Sequence, residues 1–123
     1  MSGPVRVTDP LLDVLEVFLQ AHNDDQELHG WAILKATGRS GPTVYGVLDR
    51  LEDAGWITGR WEDQAPDANT PRRRLYRLTP TGTTGSEDLL AARRPAALSR
   101  LRQQPRPGPA YIGWLRRLIG GAS

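Results

Sequence analysis

The fold of this chain is decided by the stretch SGPTVYGVLDRLEDAGW, which occupies Ser40–Trp56. The hydroxyl of Ser40 can accept a hydrogen bond from a free amide of a first helical turn, and Pro42 falls where a missing N–H costs nothing. Four aliphatic residues then recur at i, i+3, i+4 and i+7: Val44, Val47, Leu48 and Leu51. Gly55 stands where a left-handed C-terminal stop is favoured. The stretch therefore predicts one capped amphipathic helix.

The opposite face of this helix is unusual because its residues are small near the start and few are charged. It carries Pro42, Gly46 and Asp49, with Thr43, Tyr45 and Arg50 at its flanks. A helix that only had to be soluble would more often show glutamate and lysine on this face. We therefore expect the face to lie close against another surface.

Composition sets the outer bounds. The chain has 123 residues with 38% hydrophobic content, which predicts one compact domain with some chain left over for a tail. It has no cysteine, so disulfides and thiolate metal sites are excluded and a reducing cytoplasm is the expected location. There is no apolar run of about 18 residues and no signal-peptide core, so no membrane partner is expected.

The segments before this helix complete a helix-turn-helix pattern. Asp9 and Pro10 resemble an N-cap and a first-turn proline, and apolar spacing predicts that the first helix runs to about Ala21. A second helix is predicted from Gln26 to Thr37, and a short glycine turn leads from it into the helix at Ser40.

After the central helix the hydrophobic period changes to that of strands. Trp56–Trp61 and Arg72–Thr79 alternate or are rich in aromatic and β-branched residues, and a polar loop separates them, which predicts a β-hairpin wing. Thr79 and Pro80 repeat the helix-start signal, and Pro95 should kink the helix that follows or divide it. A proline-rich linker then leads to a last amphipathic segment near the C-terminus.

Three motifs in this order resemble the PadR family of winged-helix transcriptional repressors. His29-Gly30-Trp31 is similar to the His-Gly-Tyr that starts the second helix of that family. Thr43–Glu52, followed by Gly55-Trp56-Ile57, resembles the recognition helix of the family, and Arg73–Gly82 resembles its second wing strand and the start of the next helix. The resemblance covers roughly residues 11–90. It implies a homodimeric repressor that binds double-stranded DNA at a short palindromic operator.

The fold class expected is mostly α with a small β-hairpin: a winged helix-turn-helix of three helices plus wing, followed by C-terminal dimerisation helices. We divide the chain into a DNA-binding domain at residues 9–79 and a helical dimerisation region at residues 80–123. The candidate DNA-binding residues are Lys35, Arg39, Ser40, Thr43, Tyr45, Gly46, Arg50, Arg72, Arg73 and Arg74.

The roles of these candidates follow from the way a winged helix meets DNA. The N-terminal half of the recognition helix enters the major groove, so Ser40, Thr43 and Gly46 should lie nearest the base edges. The flanking Tyr45 and Arg50 could reach phosphates, as could Lys35 and Arg39, and the three wing arginines suit the backbone or an adjacent minor groove. Aspartates in the second half of the helix would repel phosphate, so that half should tilt away from the DNA.

Several of these residues have a plainer interpretation. Tyr45 could be a partly buried core residue, and the arginine triplet could be a solvated strand end. The three tryptophans at positions 31, 56 and 61 are expected in or near the core, and His29 is expected to pack on the first helix.

In the last segment, Tyr111 and Trp114 could line a pocket for a small aromatic effector at the dimer axis. Simple hydrophobic dimer packing is the favoured interpretation of those two residues, ahead of a tail lying on a membrane surface.

The sequence leaves a second class of function open and gives poor support for a third. A winged helix can serve as a protein-interaction module, and the net charge of only +2 keeps that alternative open because DNA-binding domains are often more basic. An enzyme would need a nucleophile with a base or a pair of carboxylates in a cleft. The chain offers two separated histidines, no cysteine and scattered acids, so no catalytic residues, cofactor or metal site are expected.

Overall fold

Five helices and three short strands build the part of the chain that the computed structural model describes, residues 5–63, 67 and 69–103. In chain order they are α1 (Asp9–Asn23), β1 (Leu28–His29), α2 (Gly30–Thr37), α3 (Gly41–Asp53), β2 (Ile57–Trp61), β3 (Arg74–Leu78), α4 (Pro80–Arg93) and α5 (Pro95–Gln103). The proline-rich linker, the last amphipathic segment and the candidate effector residues Tyr111 and Trp114 lie outside the described residues.

The central helix α3 is confirmed. The Oγ atom of Ser40 accepts a hydrogen bond from the amide of Thr43 at 3.4 Å, so Ser40 is the N-cap. The four aliphatic residues of the predicted stripe are all buried. Gly55 adopts a left-handed conformation with φ of 76°, which ends the helix where the sequence predicts.

Helix α1 starts one residue earlier than predicted. Thr8, not Asp9, is the N-cap, because its hydroxyl accepts a hydrogen bond from the amide of Leu11 at 3.2 Å. Threonine and aspartate are both good caps, so the sequence alone does not separate the two. The helix continues to Asn23, two residues beyond the predicted end.

The prediction of a helix starting at Gln26 is wrong. Leu28 and His29 form β1, which pairs antiparallel with β3 through Leu28 opposite Tyr76 and His29 opposite Leu75. Without β1, the edge of β3 away from β2 would carry unpaired N–H and C=O groups, and tertiary pairing therefore overrides the helical pattern. The predicted two-stranded wing is consequently part of a three-stranded sheet with the order β1-β3-β2.

The core lies between α1, α2, α3 and the sheet, and both α4 and α5 pack against α1. Its largest fully buried side chains are Phe18, Leu11, Leu15, Leu28, Ile33, Leu48, Leu51 and Leu90. This arrangement is a winged helix-turn-helix with two further helices, which confirms the predicted fold class for the described part of the chain.

Two of the tryptophans expected in or near the core are at the surface. Trp31 is 47% exposed and Trp61 is 58% exposed, whereas Trp56 packs partly buried against the core. On α2 the buried positions include Ala32 and Ile33, which leaves Trp31 on the outward side. Trp61 shares a sheet face with the buried Ile57, but it lies at the opposite end of β2, where the strand is exposed.

The start of α4 and its end are as predicted. The hydroxyl of Thr79 accepts a hydrogen bond from the amide of Gly82 at 3.0 Å and donates one to the carbonyl of Gly55 at 2.7 Å. Pro95 divides the C-terminal helical segment, because α4 ends at Arg93 and α5 begins at Pro95. None of the described helices is long and apolar enough to cross a membrane.

Candidate nucleic-acid interface

The start of α3 presents two hydroxyl groups at the surface. Ser40 is exposed and donates a hydrogen bond from its Oγ to the Oγ1 of Thr43 at 3.0 Å. One turn further on, Gly46 has no heavy atom within 4 Å of the place where a Cβ would stand. This face of α3 is therefore small, polar and open, as the sequence predicts.

A cleft between α2, α3 and the sheet lies beside this face; we call it the wing cleft. It has a volume of about 360 Å³ and is lined by His29, Gly30, Trp31, Tyr45, Trp61, Arg72, Arg73, Arg74 and Tyr76. Three large side chains that are exposed in the described part of the chain, Trp31, Tyr45 and Trp61, all belong to this lining. The cleft thus combines an aromatic surface with the three wing arginines, and its lining comes from both the helices and the wing.

Arg74 connects the wing to α3. Its guanidinium passes over Gly59, where a Cβ would come within 2.7 Å of the Arg74 Nε, and its Nη2 donates to the Glu52 carboxylate at 2.9 Å. The Cζ atom of Arg74 lies 5.8 Å from the ring centre of Trp61 and 5.7 Å from that of Tyr76. The hydrogen bond to Glu52 raises the pKa of Arg74, so this side chain stays charged.

Arg73 is held from two sides. Its Nε donates to the Glu62 carboxylate at 2.6 Å, and its Nη1 lies 3.0 Å from the Nε2 of His29. A guanidinium can only donate, so a hydrogen bond between these two atoms requires Nε2 to be the acceptor. The hydrogen bond from Arg73 lowers the pKa of the Glu62 carboxyl. Arg72 is exposed and makes no ion pair with any residue that the structure describes.

The remaining candidates lie outside the lining of the wing cleft. Lys35 is exposed, and its ammonium stands 5.0 Å from the ring centre of Trp31. Arg39, in the turn before α3, donates from its Nε to the Asp13 carboxylate at 2.8 Å. Arg50 is half-buried, and its Nε is buried without a hydrogen-bond partner among the described residues.

Sequence reasoning missed two features of this surface. It predicts Trp31 and Trp61 in or near the core, although Trp31 and Lys35 stand at i and i+4 and so share one side of α2. It also gave no role to Glu52, which anchors Arg74. The spacing of Trp31 and Lys35 is a signal from which the exposure of Trp31 could have been predicted. The pairing of Glu52 with Arg74 depends on tertiary contacts, so no sequence signal indicates it.

The chemistry of this surface is that of binding rather than of bond-making. Hydroxyls, cations and flat aromatic rings are the groups that contact phosphates, sugars and bases. Among residues 5–63, 67 and 69–103, the acidic side chains and histidines form no group that could hold a metal ion.

Comparison with known proteins identifies the family and the fold. A model of the transcriptional regulator PadR-like family matches residues 19–88, whereas no curated protein sequence matches the chain. Among solved structures, a ZitR mutant from Lactococcus lactis is similar, with a TM-score of 0.55 and 17% identity over 84% of this chain. This chain spans just under two thirds of ZitR, 63% of its length.

Two further structures have the same fold. The adhesin competence repressor from Streptococcus pyogenes has a TM-score of 0.57 and 14% identity, over 94% of this chain and 77% of that one. A MepR mutant from S. aureus, bound to an oligodeoxyribonucleotide, has a TM-score of 0.55 and 25% identity, over 90% of this chain and 73% of that one. The solved structures show the winged-helix fold, and the family model spans more than half of the chain, so this protein belongs to the PadR-like family of transcriptional regulators.

Proposed function

We propose that this regulator is a repressor that binds a palindromic operator in double-stranded DNA as a homodimer. The observation that carries the proposal is the shared surface of α3 and the wing: Tyr45 of α3 and the three wing arginines line the same cleft. A duplex whose major groove holds α3 would bring its flanking backbone across this cleft.

In this arrangement the first half of α3 reads the bases. Ser40 and Thr43 offer hydroxyls that can donate to or accept from base edges, and Gly46 leaves room for close approach of the helix backbone. Asp49 and Asp53 are exposed towards the end of α3, where phosphate would be repelled, so the helix enters the groove by its first half.

The wing cleft holds the backbone. Arg72 supplies a cation that no described acid neutralises, and Trp31 and Trp61 supply flat surfaces for the sugar-phosphate chain. Arg73 and Arg74 are bound to Glu62 and Glu52, so their first effect is to fix the wing. The low net charge of the chain is compatible with DNA binding, because the positive charge that matters is local.

The operator symmetry follows from the dimer. Two copies related by a two-fold axis would present two α3 helices to successive major grooves, which requires a palindromic site. We place the dimer contacts in residues 80–123, as the sequence suggests. The DNA-bound state of MepR, at 25% identity, supports DNA as the partner.

A gel shift with the DNA upstream of the protein's own gene, at two salt concentrations, tests the proposal. Binding that survives an excess of competitor DNA is the expected result, and it should weaken as salt rises because phosphate contacts release counterions. Weak binding that depends only on salt would contradict recognition of this operator. An absence of any shift at low salt would favour the alternative, a winged helix that binds another protein.

A further inference from the structure

The carboxylate of Asp13 joins two arginines that are distant in sequence. Its Oδ2 accepts a hydrogen bond from the Nε of Arg39 at 2.8 Å, and its Oδ1 accepts one from the Nη1 of Arg94 at 2.7 Å. Arg39 directly precedes Ser40, the N-cap of α3, and Arg94 stands between α4 and α5. One side chain of α1 thus connects the turn before the recognition helix to the C-terminal helices.

The contact leaves most of Arg39 available. A guanidinium has five N–H donors, and Asp13 takes the one on Nε. The two terminal amino groups of Arg39 make no hydrogen bond with any residue in the described ranges, and the side chain is 39% exposed. Terminal amino groups of this kind bind a phosphate with two parallel hydrogen bonds.

Arg94 fixes Asp13 in turn. Its Nη1 donates to Asp13 and to the Glu16 carboxylate, at 2.7 Å in both cases, and its side chain is only 26% exposed. These two hydrogen bonds raise the pKa of Arg94. Arg94 therefore holds the Asp13 carboxylate in one orientation and offsets the repulsion that the two acids would exert on an approaching phosphate.

We propose that Asp13 is a positioning residue for DNA binding: it holds Arg39 by the Nε so that the terminal amino groups bind a backbone phosphate beside the start of α3. Arg94 completes the chain of contacts, so the junction of α4 and α5 influences this phosphate contact. The inference rests on the proposed function. It assigns a role to an acid that would by charge alone weaken DNA binding.

Two physical effects of Asp13 oppose each other. By ordering the long side chain of Arg39 before DNA arrives, Asp13 removes part of the entropy cost of the phosphate contact. By its negative charge, it repels phosphate and competes for the same guanidinium. The two effects predict opposite signs for Asp13→Asn, which is nearly the same shape but uncharged. Weaker operator binding marks positioning, and tighter binding marks competition.

The experiment measures operator affinity by fluorescence anisotropy at several salt concentrations, for the full chain and five variants. Asp13→Asn and Arg39→Gln should each weaken binding about fivefold, and the double variant should be no weaker than Arg39→Gln alone. Arg39→Gln should also reduce the slope of log affinity against log salt by about 0.9 for each chain. The matched control is Asp9→Asn, which removes the same charge from α1 near Arg94 but from a residue that makes no contact with Arg39. It should bind as the unmodified protein does.

Melting temperatures check that each variant is folded, and Arg39→Lys provides a test that leaves Asp13 and Arg94 in place. Lysine keeps the charge but lacks the Nε contact and the planar fork, so it should bind nearly as weakly as Arg39→Gln. Binding of Arg39→Lys equal to that of the unmodified protein overturns the inference. So does unchanged or tighter binding by Asp13→Asn, or additive losses in the double variant.

The outcomes also separate the inference from the proposed function. If the unmodified protein binds its operator and Arg39→Gln binds equally well, Arg39 makes no phosphate contact and only the inference fails. If the unmodified protein binds no duplex at low salt, the proposed function fails and the inference fails with it.

Discussion

The ring of Tyr45 occupies the space that a Cβ atom on Gly30 would need. A Cβ built there would lie 2.5 Å from the phenolic oxygen of Tyr45 and 2.7 Å from its Cε1. The first residue of α2 is therefore a glycine for a packing reason, and it seats the tyrosine of α3 against the backbone of α2. Tyr45 is 46% exposed and lines the wing cleft with its ring against Gly30.

Replacement of Tyr45 tests whether this seating serves DNA binding. Tyr45→Ala should weaken operator binding at least about tenfold, because it removes a preorganised contact in the cleft. It should reduce the free energy of unfolding by about 1 kcal/mol or less, because nearly half of the side chain is already in water. Anisotropy titrations and thermal melts measure the two quantities. Tyr45→Phe, which keeps the ring, is the matched control.

Gly30→Ala provides a second route to the same conclusion. The added methyl would displace the ring of Tyr45 without removing it, so operator binding should fall while the tyrosine remains present.

A large loss of stability on Tyr45→Ala, with affinity preserved in the folded fraction, would instead mark Tyr45 as a core residue.

Gly46 allows a prediction in which stability and binding move in opposite directions. A Cβ at this position would meet no heavy atom within 4 Å, and glycine inside a helix costs about 0.5–1 kcal/mol relative to alanine. Gly46→Ala should therefore raise the melting temperature by a few degrees. If this face lies against base edges, the same methyl should weaken specific binding about tenfold.

Binding to a duplex without the operator is the internal control for Gly46→Ala. Non-specific affinity depends on phosphate contacts and should hardly change. Operator affinity that stays the same in the stabilised variant would place this part of α3 away from the bases.

The sequence predicts this fold well at most positions where the signal is local, the N-cap of α1 excepted. The caps at Ser40 and Thr79, the stop at Gly55 and the break at Pro95 are confirmed, because each depends on a residue and its immediate neighbours. It fails at β1, since Leu28 and His29 become a strand only through pairing with a segment more than 40 residues away.

The candidate surface likewise has residues that the sequence could identify and residues that it could not. The wing arginines and Tyr45 could be selected from motif and spacing, and the structure places them around one cleft. Their partners could not be selected in this way. Glu52 and Asp13 are ordinary helix-surface acids in the sequence, and only the packing of α1, α3 and the wing brings them to Arg74 and Arg39.

The contact between α4 and the turn after α3 yields a stability prediction. A Cβ on Gly82 would overlap the carbonyl group of Trp56, and that carbonyl is held because it accepts a hydrogen bond from the amide of Thr79 at 2.9 Å. Gly82→Ala should therefore reduce the free energy of unfolding by about 2–3 kcal/mol. Urea unfolding followed by circular dichroism measures the change.

Gly85 is the matched control one turn along α4. A Cβ there would meet the ring of Trp56 rather than the backbone, at 2.5 Å from Cζ2, and a half-buried ring can rotate away. The helix propensity of alanine also offsets part of the strain, so Gly85→Ala should change the free energy by less than about 1 kcal/mol. Equal losses at the two positions would contradict this account of the contact.

Removal of residues 105–123 tests where the dimer contacts lie. Aliphatic and aromatic residues, among them Tyr111 and Trp114, recur there at helical spacing, and such a stripe is stable in water only when it is covered. We expect the shortened chain to form monomers or weaker dimers in sedimentation velocity runs. Its operator affinity should then approach that for a single half-site, because the second α3 is no longer tethered. A shortened chain that remains fully dimeric would move the interface to α1, α4 and α5, whose outer surfaces would then cover each other.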